Sequence, residues 1–150
     1  MTGPALTEAR VSSTRRKSRV VALQVLYEMD GARHDPSRAF ENRLREQPLS
    51  PPAEQYARKL VEGTIENRAR IDKIISTYAP TWPISQMATV DRNILRVAIY
   101  EIIIGVETPP KVAINEAVEL GKVFGSDSSS KFVNGVLGSL MESDELESKP

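Results

Sequence analysis

The sequence predicts an all-α fold of about seven helices. Apolar residues recur at spacings of three and four over most of the chain, and nothing alternates with period two over a useful length. Helix start and stop signals, Asp35-Pro36, Ser50-Pro51, Gly31, Gly105 and Gly125, separate these stretches. The stretch Val90 to Ile104 is apolar almost all round a helix, with Arg92, Asn93, Arg96 and Tyr100 on one polar strip. A helix apolar on most faces is a buried one, so the others are expected to pack around it.

Taken in order, residues 1–12 are expected to be a flexible segment, and a first helix to run from Ser13 or Thr14 to Asp30, closed by Gly31. Val20, Val21, Ala22, Leu23, Val25, Leu26, Tyr27 and Met29 leave it a narrow polar strip of Lys17, Gln24 and Glu28. Its later turns should be buried while the basic first turns extend past the body. Asp35 and Pro36 read as N-cap and first residue of a short helix to Glu46, with Phe40 and Leu44 one turn apart. Ser50-Pro51 repeats the signal, and Ala57, Leu60, Thr64, Asn67, Ile71, Ile74 and Tyr78 share a face of one long helix, or of two joined between Gly63 and Asn67.

Trp82-Pro83 begins an irregular passage in which Trp82 reads as a core plug. Thr89 is placed to cap the central helix, Asp91 to favour its dipole, and Gly105 to stop it in a left-handed conformation. A further helix spans Lys111 to Phe124, and the Ser126 to Ser130 run caps a last one carrying Phe132, Val133, Val136, Leu137, Leu140 and Met141. Gly121 and Gly135 fall inside these helices, where glycine costs about 1 kcal/mol against alanine; close helix approach would explain both. The helical domain is thus expected over residues 13–141, followed by an acidic disordered tail over 142–150.

With 150 residues, 40% hydrophobic and 27% charged, the chain is long enough for a core of its own. It has no cysteine, hence neither disulfide nor thiolate site, and no apolar run near the ~20 residues of a membrane span. A cytoplasmic protein with no membrane association is expected. Catalytic chemistry is sparsely supplied. The lone histidine, His34, sits in a polar turn and reads as a surface residue; no glycine-rich phosphate loop is present; Glu116 and Glu119 read as a solvated face. Glu101 lies on the apolar side of the central helix and must be hydrogen-bonded or paired there.

The zero net charge conceals a polarity: Arg10, Arg15, Arg16, Lys17 and Arg19 stand against Glu8 in the first twenty residues. Placed in the first turns of a helix, cations oppose the dipole, so their gain must come from outside. Guanidinium forks beside free backbone N–H groups make a phosphate site, and this favours nucleic acid over a merely solvated basic end.

Arg15-Arg16-Lys17 leading to Ala22-Leu23-Gln24-Val25-Leu26-Tyr27, then Val90-Asp91-Arg92, Ile94-Leu95-Arg96 and Tyr100-Glu101, then Val112 to Leu120, then Lys131-Phe132-Val133-Asn134-Gly135-Val136-Leu137 resemble, in order and spacing, the NusB family of bacterial transcription antitermination factors. The resemblance spans residues 13–141; Ile114-Asn115-Glu116-Ala117 and Phe132 to Leu137 are its specific segments. It implies a compact bundle of seven helices in two halves, no enzymatic activity and no cofactor. It implies binding of single-stranded boxA RNA of ribosomal RNA leaders together with NusE, a small-subunit ribosomal protein, within an RNA polymerase antitermination complex.

Carried over by position, the resemblance puts RNA on Arg15, Arg16, Lys17 and Arg19, and on Lys131 and Phe132. It puts NusE at Tyr27 and Asp91, and at Asp127, where this chain carries the acid one residue earlier than the family does. Read from the residues alone, Tyr27 also fits a core side chain with its hydroxyl at the surface, and Asp91 a residue serving only the dipole. A protein-interaction scaffold, a stand-alone version of the RNA-binding domain of RNA cytosine methyltransferases, and the choice between monomer and homodimer stay open at this point.

Overall fold

The computed structural model describes residues 4–32 and 34–143, with side chains from residue 13 onward. Among the described residues seven α-helices follow one another: α1 (Pro4–Ala32), α2 (Pro36–Glu46), α3 (Pro51–Glu66), α4 (Arg68–Tyr78), α5 (Thr89–Ile99), α6 (Pro110–Phe124) and α7 (Ser129–Met141). A 3-10 turn, Ile84–Gln86, precedes α5, and α5 runs on into a π-helical turn, Tyr100–Gly105. No strand occurs among the described residues. The chain divides between Glu62 and Gly63, inside α3, into two compact units.

In the first unit, α1 starts at Pro4, earlier than the flexible segment expected over 1–12 allows. Proline suits a first helical position, and Ala5, Leu6, Glu8, Ala9 and Arg10 have good helix propensity although they lack an apolar stripe. At its other end α1 passes through Gly31 to Ala32, and no glycine among the described residues has positive φ. The Asp35 carboxylate accepts from Arg38 N–H at 2.9 Å and Pro36 opens α2, as the sequence predicts. Val21, Ala22, Val25, Phe40, Ala57 and Leu60 form the apolar interior, and the buried Ser18 hydroxyl joins α1 to α3 by donating to the Ala53 carbonyl at 2.7 Å.

His34 is more than a surface residue. Its Nδ1 lies 2.6 Å from Glu28 Oε2, which also accepts from Asn42 Nδ2 at 2.8 Å, and Arg43 stands beside the same carboxylate. Burial pushes the Glu28 pKa up, but the hydrogen bonds from His34 and Asn42 and the charges of His34 and Arg43 outweigh it and hold the carboxyl below its ordinary value.

In the second unit, α5 has the role its composition predicts: Asn93 to Ile103 are all buried, with α4, α6 and α7 packed on it. Arg96 is 3% exposed and donates from Nε and Nη2 to the two Asp72 oxygens at 2.9 and 3.1 Å, with Nη1 on Asn93 Oδ1 at 3.1 Å. Glu101, buried as expected, accepts from the buried Thr108 hydroxyl at 2.8 Å. A Cβ at Gly63 would overlap the Tyr100 ring, so the α3 to α4 junction needs glycine.

Several local expectations give way here. Thr89 is the first residue of α5 and makes no side-chain cap, although Asp91 does lie in the first turn. The left-handed residue after the π-helical turn is Val106, with φ 49°, not Gly105, because the wider turn moves the exit by one residue. That conformation costs a β-branched residue about 1 to 3 kcal/mol. Gly121 does admit a close approach, 3.1 Å from its Cβ position to the Ser130 backbone, but Gly135 faces open space and close packing does not explain it. Trp82 is 53% exposed rather than a core plug, because the proline-flanked passage around it offers no helix face to bury it. Glu116 is buried rather than solvated, because the inward face of α6 is wide enough to include it. Of the expected acidic tail, Glu142 and Ser143 follow α7, and residues 144–150 lie outside the described residues, as do residues 1–3.

A carboxyl whose folded pKa is depressed contributes stability above its unfolded pKa, and that contribution disappears as pH falls through the folded value. Glu28→Gln should therefore be less stable than wild type at neutral pH, with the gap closing below about pH 4. Urea denaturation of both proteins from pH 7 to acid measures it, and a constant gap at all pH values would contradict the assignment.

Candidate nucleic-acid and partner interfaces

The basic cluster lies on the first unit, inside α1 rather than at its start. About three helical turns separate Pro4 from Arg15, so the backbone N–H groups at 15–19 are already used within the helix. The expected phosphate site of free N–H groups and the dipole argument built on it both fall. What remains is the side chains, and the Ser18 to Ala53 hydrogen bond sets which of them face α3. Arg16 and Lys17 are exposed, whereas Arg15 turns toward α3 with its guanidinium carbon 4.5 Å from the Tyr56 ring centroid. Arg19, one turn on, is 5.9 Å from the same centroid and only 3% exposed. Arg19, which the resemblance puts on the RNA site with the others, is buried at this register.

Tyr27 lies on the same helix about 12 Å beyond Arg19 along the axis, and half of it is exposed. The core reading of its ring is therefore excluded.

The second unit carries a cavity of about 450 Å³ whose lining includes Trp82, Met87, Asp91, Ser126, Ser128 and Phe132. The passage before α5, the first turn of α5, the turn before α7 and the first turn of α7 thus converge. Asp91 is 9% exposed, and its Oδ1 is buried without a hydrogen-bond partner. A buried acceptor left unpaired costs about 1 to 3 kcal/mol, more when charged, so the dipole alone does not account for this carboxylate, whose lone pairs can accept from a donor. The half-exposed Trp82 ring and the Phe132 ring supply apolar surface beside it, a combination suited to a flat cation with an apolar stem or to a stacked base. Asp127 and Lys131 are exposed. The structure thus brings Asp91 and Phe132 to one cavity, while Asp127 stays between two lining serines and is not itself a wall.

Tyr56 and Trp82 are the functional candidates that sequence reasoning missed. Tyr56 follows Ala53 by one helical turn, a spacing that would have revealed it had Ser18 been recognised as the α1 contact. Trp82 stands between threonine and proline in a polar passage, which is a signal of exposure. Among the described residues no group of three or more His, Asp or Glu side chains is arranged to hold a metal ion, and no helix is long and apolar enough to cross a membrane.

Comparison with known proteins gives these surfaces a context. The family model described as NusB family matches residues 16–142. The transcription antitermination protein NusB of Roseiflexus sp. (strain RS-1) is 49% identical over 133 residues, 87% of this chain and 94% of that protein. Its counterpart from Chloroflexus aggregans is 47% identical over 134 residues, covering 88% and 89%. Among solved structures, T. maritima NusB superposes with TM-score 0.79 at 33% identity, covering 91% of this chain and 93% of that one. A crystal structure of antitermination factors NusB and NusE in complex with dsRNA gives TM-score 0.80 at 30% identity, over 87% of this chain and 97% of that chain. With the seven-helix order, the family match and these identities in agreement, the chain belongs to the NusB family.

Proposed function

We propose that this chain is a cytoplasmic, RNA-binding transcription antitermination factor, a binding protein and not an enzyme. It binds single-stranded boxA-type RNA of ribosomal RNA leaders together with NusE, and acts within a complex that keeps RNA polymerase processive. The observation that carries this reading is the cluster of Arg15, half-buried, with the exposed Arg16 and Lys17 on α1, in a chain whose relatives are transcription antitermination proteins. The likeness to a NusB crystallised with NusE and dsRNA supports both partners.

Each unit has its part. The α1 cations neutralise phosphates and hold RNA without regard to sequence. Lys131 adds a charge near the cavity, and Phe132 an aromatic face for a base. The unpartnered Asp91 oxygen accepts from a basic side chain of NusE, with Asp127 adding negative charge close by and Tyr27 a further contact on α1. A charge-assisted bond of this kind, broken from one side, costs about 2 to 5 kcal/mol. Self-association through the RNA-binding face would compete with RNA.

If Arg15, Arg16 and Lys17 each neutralise one phosphate, affinity for a boxA oligonucleotide should fall with salt at a log-log slope of roughly −2, at about −0.7 per contact on a single strand. Replacing Arg15 and Arg16 together by alanine should bring the slope near −0.7, with thermal unfolding close to wild type. A slope unaltered by the double substitution would remove these arginines from the RNA site.

Asp91→Lys should weaken NusE binding at least about tenfold, equivalent to about 1.4 kcal/mol, while RNA binding by the isolated protein stays intact or tightens. Separate titrations with NusE and RNA measure this. Equal loss for both ligands would contradict a distinct NusE contact, as would undiminished NusE binding.

A further inference from the structure

We infer that Tyr56, on α3, is a positioning residue of the RNA site: its ring holds the Arg15 guanidinium flat and ready for phosphate, so that the site is built from two helices and not from α1 alone. The inference rests on the proposed RNA-binding reading of α1.

Arg15 lies over the Tyr56 ring at 4.5 Å, well inside cation–π range, while Arg19 sits near its limit at 5.9 Å. The two arginines are one turn apart, a spacing at which like charges repel each other. One aromatic ring facing both offsets this through its electron-rich face. Tyr56 is itself fixed, because the Ser18 hydroxyl bonds to the Ala53 carbonyl one turn before it and so locks α1 against α3 at this level. A free arginine gives up rotamer freedom when it grips a phosphate. Stacking on a fixed ring removes part of that freedom beforehand, and it engages the face of the guanidinium rather than the edge that carries its N–H donors. Arg15, the nearer of the two arginines to the ring, is the cation whose contribution the ring changes most.

The test separates the ring's electrons from its shape. In the full chain, Tyr56 is replaced by phenylalanine as reference and by 3,4,5-trifluorophenylalanine, which keeps the size but withdraws charge from the ring face. Binding of a boxA RNA oligonucleotide is measured for both, with and without Arg15→Ala. We expect the fluorinated ring to weaken binding about two- to fivefold relative to phenylalanine, with equal thermal stability, and the difference to vanish when Arg15 is alanine. Equal binding by the two rings would overturn the inference, as would a loss that persists without Arg15, which would mark a structural role. If Arg15→Ala alone left RNA affinity and its salt dependence unchanged, the inference would fall together with the reading on which it rests. If Arg15→Ala weakens binding while the two rings are equivalent, the RNA site stands and only the role of Tyr56 is lost.

Discussion

The Arg96–Asp72 pair is the constraint on which the second unit depends. A helix that buries nearly every side chain has no polar face to fix its rotation, and α5 would be free to settle at several angles about its axis. The guanidinium, 3% exposed and bonded through two nitrogens to one carboxylate on α4, selects one of them. A pair of this kind often contributes little against well-packed apolar replacements, but removing Asp72 takes the carboxylate from the buried Arg96 charge, at about 3 to 5 kcal/mol. Its effect is therefore on uniqueness. With Arg96 held on α4, Asp91 is rotated about 140° away, five residues earlier at 100° per residue, and reaches the cavity that Trp82 and Phe132 line.

The first unit obtains the same kind of precision from a neutral bond. Ser18 lies between Lys17 and Arg19, so its hydrogen bond to Ala53 decides the fate of the whole cationic run. Arg16 and Lys17 are directed to water, Arg15 to the Tyr56 ring and Arg19 to the interior. Four consecutive-looking charges thus have three different environments, and the positive surface they present is smaller and more ordered than composition suggests.

The helix order was legible because its signals are local. Asp35-Pro36 and Ser50-Pro51 announce their helices within two residues, and the apolar girth of α5 marks it as central without reference to any partner. Features that depend on a distant neighbour were not legible. Arg96 read as part of a polar strip because Asp72 is 24 residues away. His34 read as surface because its partner Glu28 lies across a turn. The start of α1 was misplaced since Pro4 to Val11 carry propensity without an apolar stripe, and the error carried into the phosphate site built on free N–H groups. For the site, residue type identified the arginines, but only the register of α1 against α3 separates Arg15 from Arg19. Asp91 was singled out by its place in the first turn, while its unfilled oxygen and its company of Trp82 and Phe132 are products of packing.

The central proposal is that the α1 cations recognise phosphate while Asp91 recognises NusE. Backbone amide chemical shifts, followed while the labelled protein is titrated separately with boxA RNA and with NusE, test it most directly. The result predicted is that RNA moves resonances at residues 15–17, in α3 around Tyr56 and at Lys131-Phe132, whereas NusE moves those at Tyr27, at Trp82 to Asp91 and around Asp127. Coincident perturbation by both ligands, or an RNA response confined to the cavity with α1 silent, would contradict it.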